Sequence, residues 1–210
     1  LVILACNTAS AKALRTIQQN DLPIMAPERR VLGVIRPTAE RIGEFTKTGQ
    51  VGVLGTHGTV KSESYLLEIR KAYPMVEVFQ EACAMWVPLI ENNEFENEGA
   101  DFFIKKNLKR LIDQSAGIDT VLLACTHYPL IKDKIEKFLS HKVHVVSQGI
   151  IVAESLADYL KRHSEIEKKC SKNGNTVFYT TDMATDFDTN GSRFYGQTLH
   201  SRHLKLEEWL

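Results

Sequence analysis

Residues 120–131 read TVLLACTHYPLI, and residues 1–14 read LVILACNTASAKAL. In both, an apolar run ends in Ala-Cys, at Cys6 and at Cys125. Small polar residues and a segment with helical spacing follow each cysteine. The same kind of run recurs as VLGVI, VGVLG, VEVF, VHVVS and TVFYT. Unbroken apolar runs bounded by Gly, Thr or charged residues predict strands buried on both faces. Between them, Ala13, Leu14 and Ile17 share one helical face, as do Leu130, Ile131, Ile135, Phe138 and Leu139. Lys132, Asp133, Lys134, Glu136 and Lys137 form the wet side of the latter. Residues 150–163, IIVAESLADYLKRH, repeat the pattern. Alternating strands and helices predict an α/β chain with parallel sheets and helices on both faces.

Composition narrows the function. The chain has 210 residues, 43% hydrophobic and 25% charged, with a formal net charge of +0. That suits a globular protein with a sizeable core, and the balanced charge argues against a nucleic-acid partner. No apolar run has the length of a membrane span. The four cysteines, Cys6, Cys83, Cys125 and Cys170, include no Cys-x-x-Cys pair, so a zinc or thioredoxin-type motif is not expected. A long chain with a full core and cysteines at strand ends fits a reducing cytoplasm. Domain changes are expected at VIRPTAERI and VVSQGI. There Pro37 should hold Arg36 extended and open a helix, and Gly149 should offer a break. SEIEKKCSKNGNT, residues 164–176, reads as a polar surface loop.

Ligands of parallel sheets sit at the carboxyl ends of the strands, where Cys6 and Cys125 fall. Each cysteine precedes residues that can start a helix: Asn7 and Thr8 in one case, Thr126 in the other. Free N–H groups and the positive end of the helix dipole bind a carboxylate and lower a thiol pKa. Two such units facing one small acid put a thiol on each face of one carbon. That arrangement suits proton removal from one face and return to the other. A single strand-end cysteine is more often a small core residue; the matched pair favours function.

These motifs carry a resemblance. ACNTAS and ACTHYPL closely resemble the two active-site motifs of glutamate racemase, a cofactor-independent enzyme of the aspartate/glutamate racemase superfamily. GVLGTHGTVKS (52–62), CAMWVPLIE (83–91) and FYTTD (178–182) resemble further segments of that family. The CTHYPL motif distinguishes glutamate racemase from aspartate racemases, which carry an acidic residue after Cys-Thr. The resemblance implies two doubly wound parallel-sheet domains in a pseudo-twofold relation, with the active site between them. Residues 1–35 and 149–210 would form the first domain and residues 36–148 the second. It implies Cys6 as the base toward D-glutamate and Cys125 as the base toward L-glutamate, with His127 and Glu91 assisting Cys125. Asn7, Thr8 and Thr126 would bind substrate, with Thr56 and Thr59 beside them. No cofactor or metal is implied. Glutamate is the expected partner, a homodimer the expected assembly, and supply of D-glutamate for peptidoglycan the expected role.

The family also has an Asp-Ser-Gly motif and a Pro-Tyr-Gly segment, and neither precedes Cys6. Residue 1 therefore reads as a truncation point. The first domain is expected to be incomplete, and residues 1–210 alone are expected to fold poorly or partly and not to racemise glutamate at an appreciable rate. Three further readings stand beside this one: a racemase of another small acid, a non-catalytic amino-acid-binding protein, and a zinc protein using His200 and His203. An isolated His-x-x-His pair is weak support for zinc.

Overall fold

The computed structural model describes residues 1–205. Every strand pairing in it is parallel. The chain opens with β1 (Val2–Leu4) and α1 (Asn7–Lys12). Next come α2 (Leu14–Thr16), a wide π-type turn (Ile17–Asp21) and α3 (Leu22–Met25). β2 (Val31–Gly33) then pairs with β1, Val2 standing opposite Val31. Ser10 ties α1 to β1 and to the residue that follows β2. Its hydroxyl donates to the Leu4 carbonyl at 2.8 Å and accepts from the Val34 N–H at 3.4 Å.

A four-stranded sheet follows. Its strands are β3 (Gln50–Gly55), β4 (Glu77–Ala82), β5 (Thr120–Ala124) and β6 (His144–Ser147), in the order β4-β3-β5-β6. Every residue of β5, and all of β3 except Gln50, is buried, as unbroken apolar runs require when helices cover both faces. The connecting helices are α4 (Ile35–Ile42), which precedes β3, then α5 (His57–Lys61), α6 (Ser64–Ala72), α7 (Trp86–Glu91), α8 (Glu98–Ile112) and α9 (Lys132–Phe138). A 3₁₀ turn (Tyr128–Ile131) precedes α9, and α10 (Gly149–Arg162) and α11 (Ser164–Glu167) follow β6. Ile35, Ala39, Ile42, Val51, Val53, Tyr65, Ile69 and Leu122 share one core.

Two local expectations are corrected. Arg36 lies inside α4, because that helix starts at Ile35. Pro37 falls in its first turn, where a missing N–H costs no helical bond. The polar stretch from Ser164 begins with α11 before it becomes irregular.

Residue contacts gather Leu1–Lys168 into one unit, and a smaller unit begins at Lys169. This division does not coincide with the expected boundaries at 35/36 and 148/149. The ties inside the larger unit explain why: Arg41 of α4 meets Glu154 of α10 at 3.0 Å, and α1 packs on α5. The smaller unit is a strand-helix-strand motif: β7 (Phe178–Thr180), α12 (Ala184–Tyr195) and β8 (Ser201–His203), with β7 and β8 parallel. Gly196 ends α12 at φ 75, a left-handed conformation that glycine adopts without steric cost. Among the described residues no helix is long and apolar enough to cross a membrane.

Candidate active site

The register of the four-stranded sheet explains what gathers at its carboxyl edge. Gly55 stands opposite Ala82 on one side and Ala124 on the other. The next residue of each strand is therefore Cys83, Thr56 or Cys125. Leu123 stands opposite Ser147, so Gln148 follows on the same edge. Sheet geometry alone thus brings four polar or nucleophilic side chains from distant parts of the sequence to one edge.

Cys125 is buried, and its thiol lies 3.9 Å from His127 Nδ1. His127 Nε2 in turn lies 3.1 Å from Glu91 Oε1. The frame behind this row is aromatic. Trp86 opens α7, the helix that ends at Glu91, and Tyr128 follows His127. Their rings meet nearly edge-on with centroids 4.8 Å apart, and both side chains are fully buried. The Tyr128 hydroxyl donates to the Cys83 carbonyl at 3.2 Å. α7 and the turn after Cys125 are therefore locked together, which sets Glu91 beside His127.

Burial pushes the Cys125 thiol up to about 11, against backbone N–H groups of His127 and Tyr128 that favour the thiolate; a charge on Cys6 raises it further. The expected lowering by a helix N-terminus is thus corrected for Cys125. The N–H groups are present, but the loss of water outweighs them. Burial likewise pushes the Cys83 thiol up, and it donates to the Glu81 carbonyl at 3.8 Å.

Cys6 is exposed and stands immediately before α1, in extended conformation. Behind it, Thr8 of α1 meets the turn that starts α5. Thr8 Oγ1 lies 2.8 Å from Thr56 Oγ1 and 3.3 Å from Thr59 Oγ1, and the latter two are 3.1 Å apart. Thr56 also caps α5 by accepting from the Thr59 N–H at 3.2 Å. A Cβ on Gly58 would come within 2.9 Å of Thr8 Cγ2, so the close approach of α1 and α5 needs glycine there. Asn7 is buried, and its Oδ1 lies 2.6 Å from the Tyr65 hydroxyl. Thr126 is exposed beside Cys125.

The structure therefore brings the sequence candidates into two clusters, Cys125–His127–Glu91 and Thr8–Thr56–Thr59, with Asn7 held separately by Tyr65. Tyr65, Gln148, Trp86 and Tyr128 were not singled out by sequence. Their only sequence signal is position: Gln148 directly follows an apolar run, and Tyr65 sits on the apolar face of α6. His200 and His203 flank or end β8, with His200 Nδ1 3.8 Å from Asp188 Oδ2.

Comparison with known proteins identifies the family. The profile of the Asp/Glu/Hydantoin racemase family matches residues 1–156. The chain belongs to that racemase family. Glutamate racemase of Geobacter metallireducens is 39% identical over 199 residues, covering 95% of this chain and 70% of the relative. Glutamate racemase of Levilactobacillus brevis is 35% identical over 208 residues, covering 99% and 72%. Among solved structures, a glutamate racemase isoform of Bacillus anthracis superposes with a TM-score of 0.84 at 30% identity, over 97% of this chain and 73% of that one. The Francisella tularensis glutamate racemase, solved with D-glutamate, gives 0.81 at 29% identity, over 98% and 73%. The α/β parallel-sheet architecture of this racemase chain is thus the architecture of its relatives.

Proposed function

We propose that this racemase chain interconverts L- and D-glutamate by a two-cysteine route, supplying D-glutamate for peptidoglycan. The observation that carries the reading is the Cys125–His127–Glu91 row, together with a second strand-end cysteine, Cys6. A thiol that burial raises to about 11 is protonated near neutrality and needs a partner to take its proton. His127 Nδ1 is that partner, and Glu91 Oε1, 3.1 Å from Nε2, orients the ring and keeps the Nε2 proton in place so that Nδ1 is free to accept. The Cys125 thiolate then removes the α-proton of L-glutamate. The electron pair stays on the α-carbon, and the Cys6 thiol delivers its proton to the opposite face. In the reverse direction Cys6 is the base and Cys125 the acid. Asn7, Thr8, Thr126, Thr56 and Thr59 are the polar groups we assign to the substrate.

The proposal extends to organisation. We read residues 1–35 and 149–210 as one domain and 36–148 as the other. The separate hydrogen bonding of β1–β2 and of the four strands between residues 50 and 147 supports this. We also propose a cytoplasmic homodimer.

The test offers the chain L-glutamate, D-glutamate, aspartate and hydantoin substrates, and follows optical rotation. Loss of rotation with either glutamate enantiomer, and with no other substrate, supports the reading. Turnover of aspartate in preference to glutamate overturns it.

A further inference from the structure

Tyr65 is fully buried and stands between two buried amides, Asn7 and Gln148. Its hydroxyl oxygen lies 2.6 Å from Asn7 Oδ1 and 2.8 Å from Gln148 Oε1. A phenol carries one proton, so it cannot donate to both oxygens. Burial also holds Tyr65 in its protonated form, its pKa pushed far up. One of the two amides must therefore turn its nitrogen toward the phenol, since amide oxygen and nitrogen are assigned from their partners.

The distances decide which one. O–H···O bonds typically run from roughly 2.5 to 3.0 Å, whereas N–H···O bonds begin near 2.7 Å. The 2.6 Å contact to Asn7 belongs to the phenol proton, and the 2.8 Å contact to Gln148 accommodates an amide N–H. This assignment leaves one buried donor open. Asn7 Nδ2 is buried and has no hydrogen-bond partner among the described residues. A buried donor without a partner is costly, and this one belongs to the residue directly after Cys6.

We propose that Gln148 and Tyr65 are positioning residues that fix the direction of the Asn7 amide. Gln148 donates to Tyr65, Tyr65 donates to Asn7 Oδ1, and Asn7 Nδ2 is kept as a donor for a substrate carboxylate. This rests on the racemase reading above and deepens it: selection for an anionic acid is set from the β6 edge, through a residue that does not touch the substrate. Reversing the chain would turn Asn7 Oδ1 toward the carboxylate, placing an acceptor where a donor is needed.

The test compares the parent chain with Gln148→Glu, Gln148→Met and Tyr65→Phe. Ionised, the carboxylate that Gln148→Glu introduces only accepts, so it draws the Tyr65 proton and Asn7 Nδ2 swings to Tyr65; because burial favours the protonated acid, the assays extend to alkaline pH, where the effect should grow. Methionine offers Tyr65 no competing carboxylate or amide oxygen at position 148, so the phenol keeps donating to Asn7 Oδ1 and the direction is kept. The expected result for Gln148→Glu is a rise in KM of about tenfold or more in both directions, with kcat little changed. Gln148→Met should show a much smaller rise, although methionine is the less conservative replacement. Burying a carboxylate also costs stability, so melting temperatures are read beside the kinetics; a merely structural role predicts that kcat falls with stability in both variants, without a rise confined to KM. Tyr65→Phe removes the donor to Asn7 Oδ1 and should raise KM as Gln148→Glu does. The side-chain amide resonances of Asn7, read by NMR without substrate, supply a second readout. They should shift in Gln148→Glu and stay nearly in place in Gln148→Met. An unchanged KM in folded Gln148→Glu, or Asn7 amide protons already bonded to Tyr65 in the parent, overturns the proposal. A parent that does not turn over glutamate counts against the racemase reading alone, and the amide resonances then still decide the direction of the network.

Discussion

His127 bridges Cys125 and Glu91: its Nδ1 lies 3.9 Å from the Cys125 thiol and its Nε2 3.1 Å from Glu91 Oε1. The histidine is partly shielded while the glutamate is half exposed, so their pairing is screened by water. The value of Glu91 then lies in orienting the ring and choosing its tautomer.

Removing the ring should therefore cost far more than removing the charge behind it. Positioned proton transfer contributes roughly a hundred- to ten-thousandfold. We expect His127→Ala to lower kcat/KM by about a hundredfold or more, and Glu91→Gln by about tenfold. Because the two enantiomers have equal free energy, kcat/KM must fall by the same factor in both directions. Measuring both directions for both variants checks the ranking. A Glu91→Gln loss as large as that of His127→Ala would mean that the ion pair, rather than orientation, carries the effect.

Gly58→Ala sets two effects against each other. Alanine favours a helix over glycine by roughly 0.8–1 kcal/mol. Its Cβ, however, would meet Thr8 Cγ2 at 2.9 Å, and overpacking costs roughly 1–3 kcal/mol. The net change in stability should be small, but α1 must move away from α5 and loosen the Thr8 contacts with Thr56 and Thr59. The expected outcome is a melting temperature within a few degrees of the parent and a clearly raised KM. An unaltered KM would remove the threonine cluster from the substrate site.

Stability in acid should report on Asp119. Burial works against its charge, but the Thr46 hydroxyl at 2.5 Å, the Lys47 and Thr48 N–H groups at 2.7 and 3.0 Å, and the Thr120 hydroxyl at 3.1 Å outweigh it. They hold its pKa down at about 2, from an ordinary 3.8. A carboxylate with a lowered folded pKa stabilises the fold above its unfolded value, and that contribution disappears as pH falls through the folded value. The melting temperature should therefore drop between about pH 4 and pH 2. Asp119→Asn should melt lower at neutral pH and show a shallower drop in that window. Equal slopes for parent and variant would place the acid sensitivity elsewhere.

Seven of the eight described strands are visible as apolar runs, because strands buried on both faces leave a continuous hydrophobic signature. β8 is not visible: Ser201, Arg202 and His203 are polar and largely exposed, and they pair with β7 alone. Cys125, His127 and Glu91 were legible because motif and fold place them together. The direction of the Cys125 shift was not, because a helix start can be read locally whereas burial depends on the whole sheet. Tyr65 meets Asn7 and Gln148 across 58 and 83 positions of sequence. No local pattern reveals that contact.

The most direct test of the two-cysteine account follows solvent deuterium into the α-position of each glutamate enantiomer. It compares the parent chain with Cys6→Ala, Cys125→Ala, Cys83→Ala and Cys170→Ala. The account predicts that Cys6→Ala and Cys125→Ala each lose racemisation in both directions, because each direction needs one thiol as base and the other as acid. Cys83→Ala and Cys170→Ala should stay close to the parent. Racemisation by Cys6→Ala or Cys125→Ala at a rate comparable to the parent would contradict it.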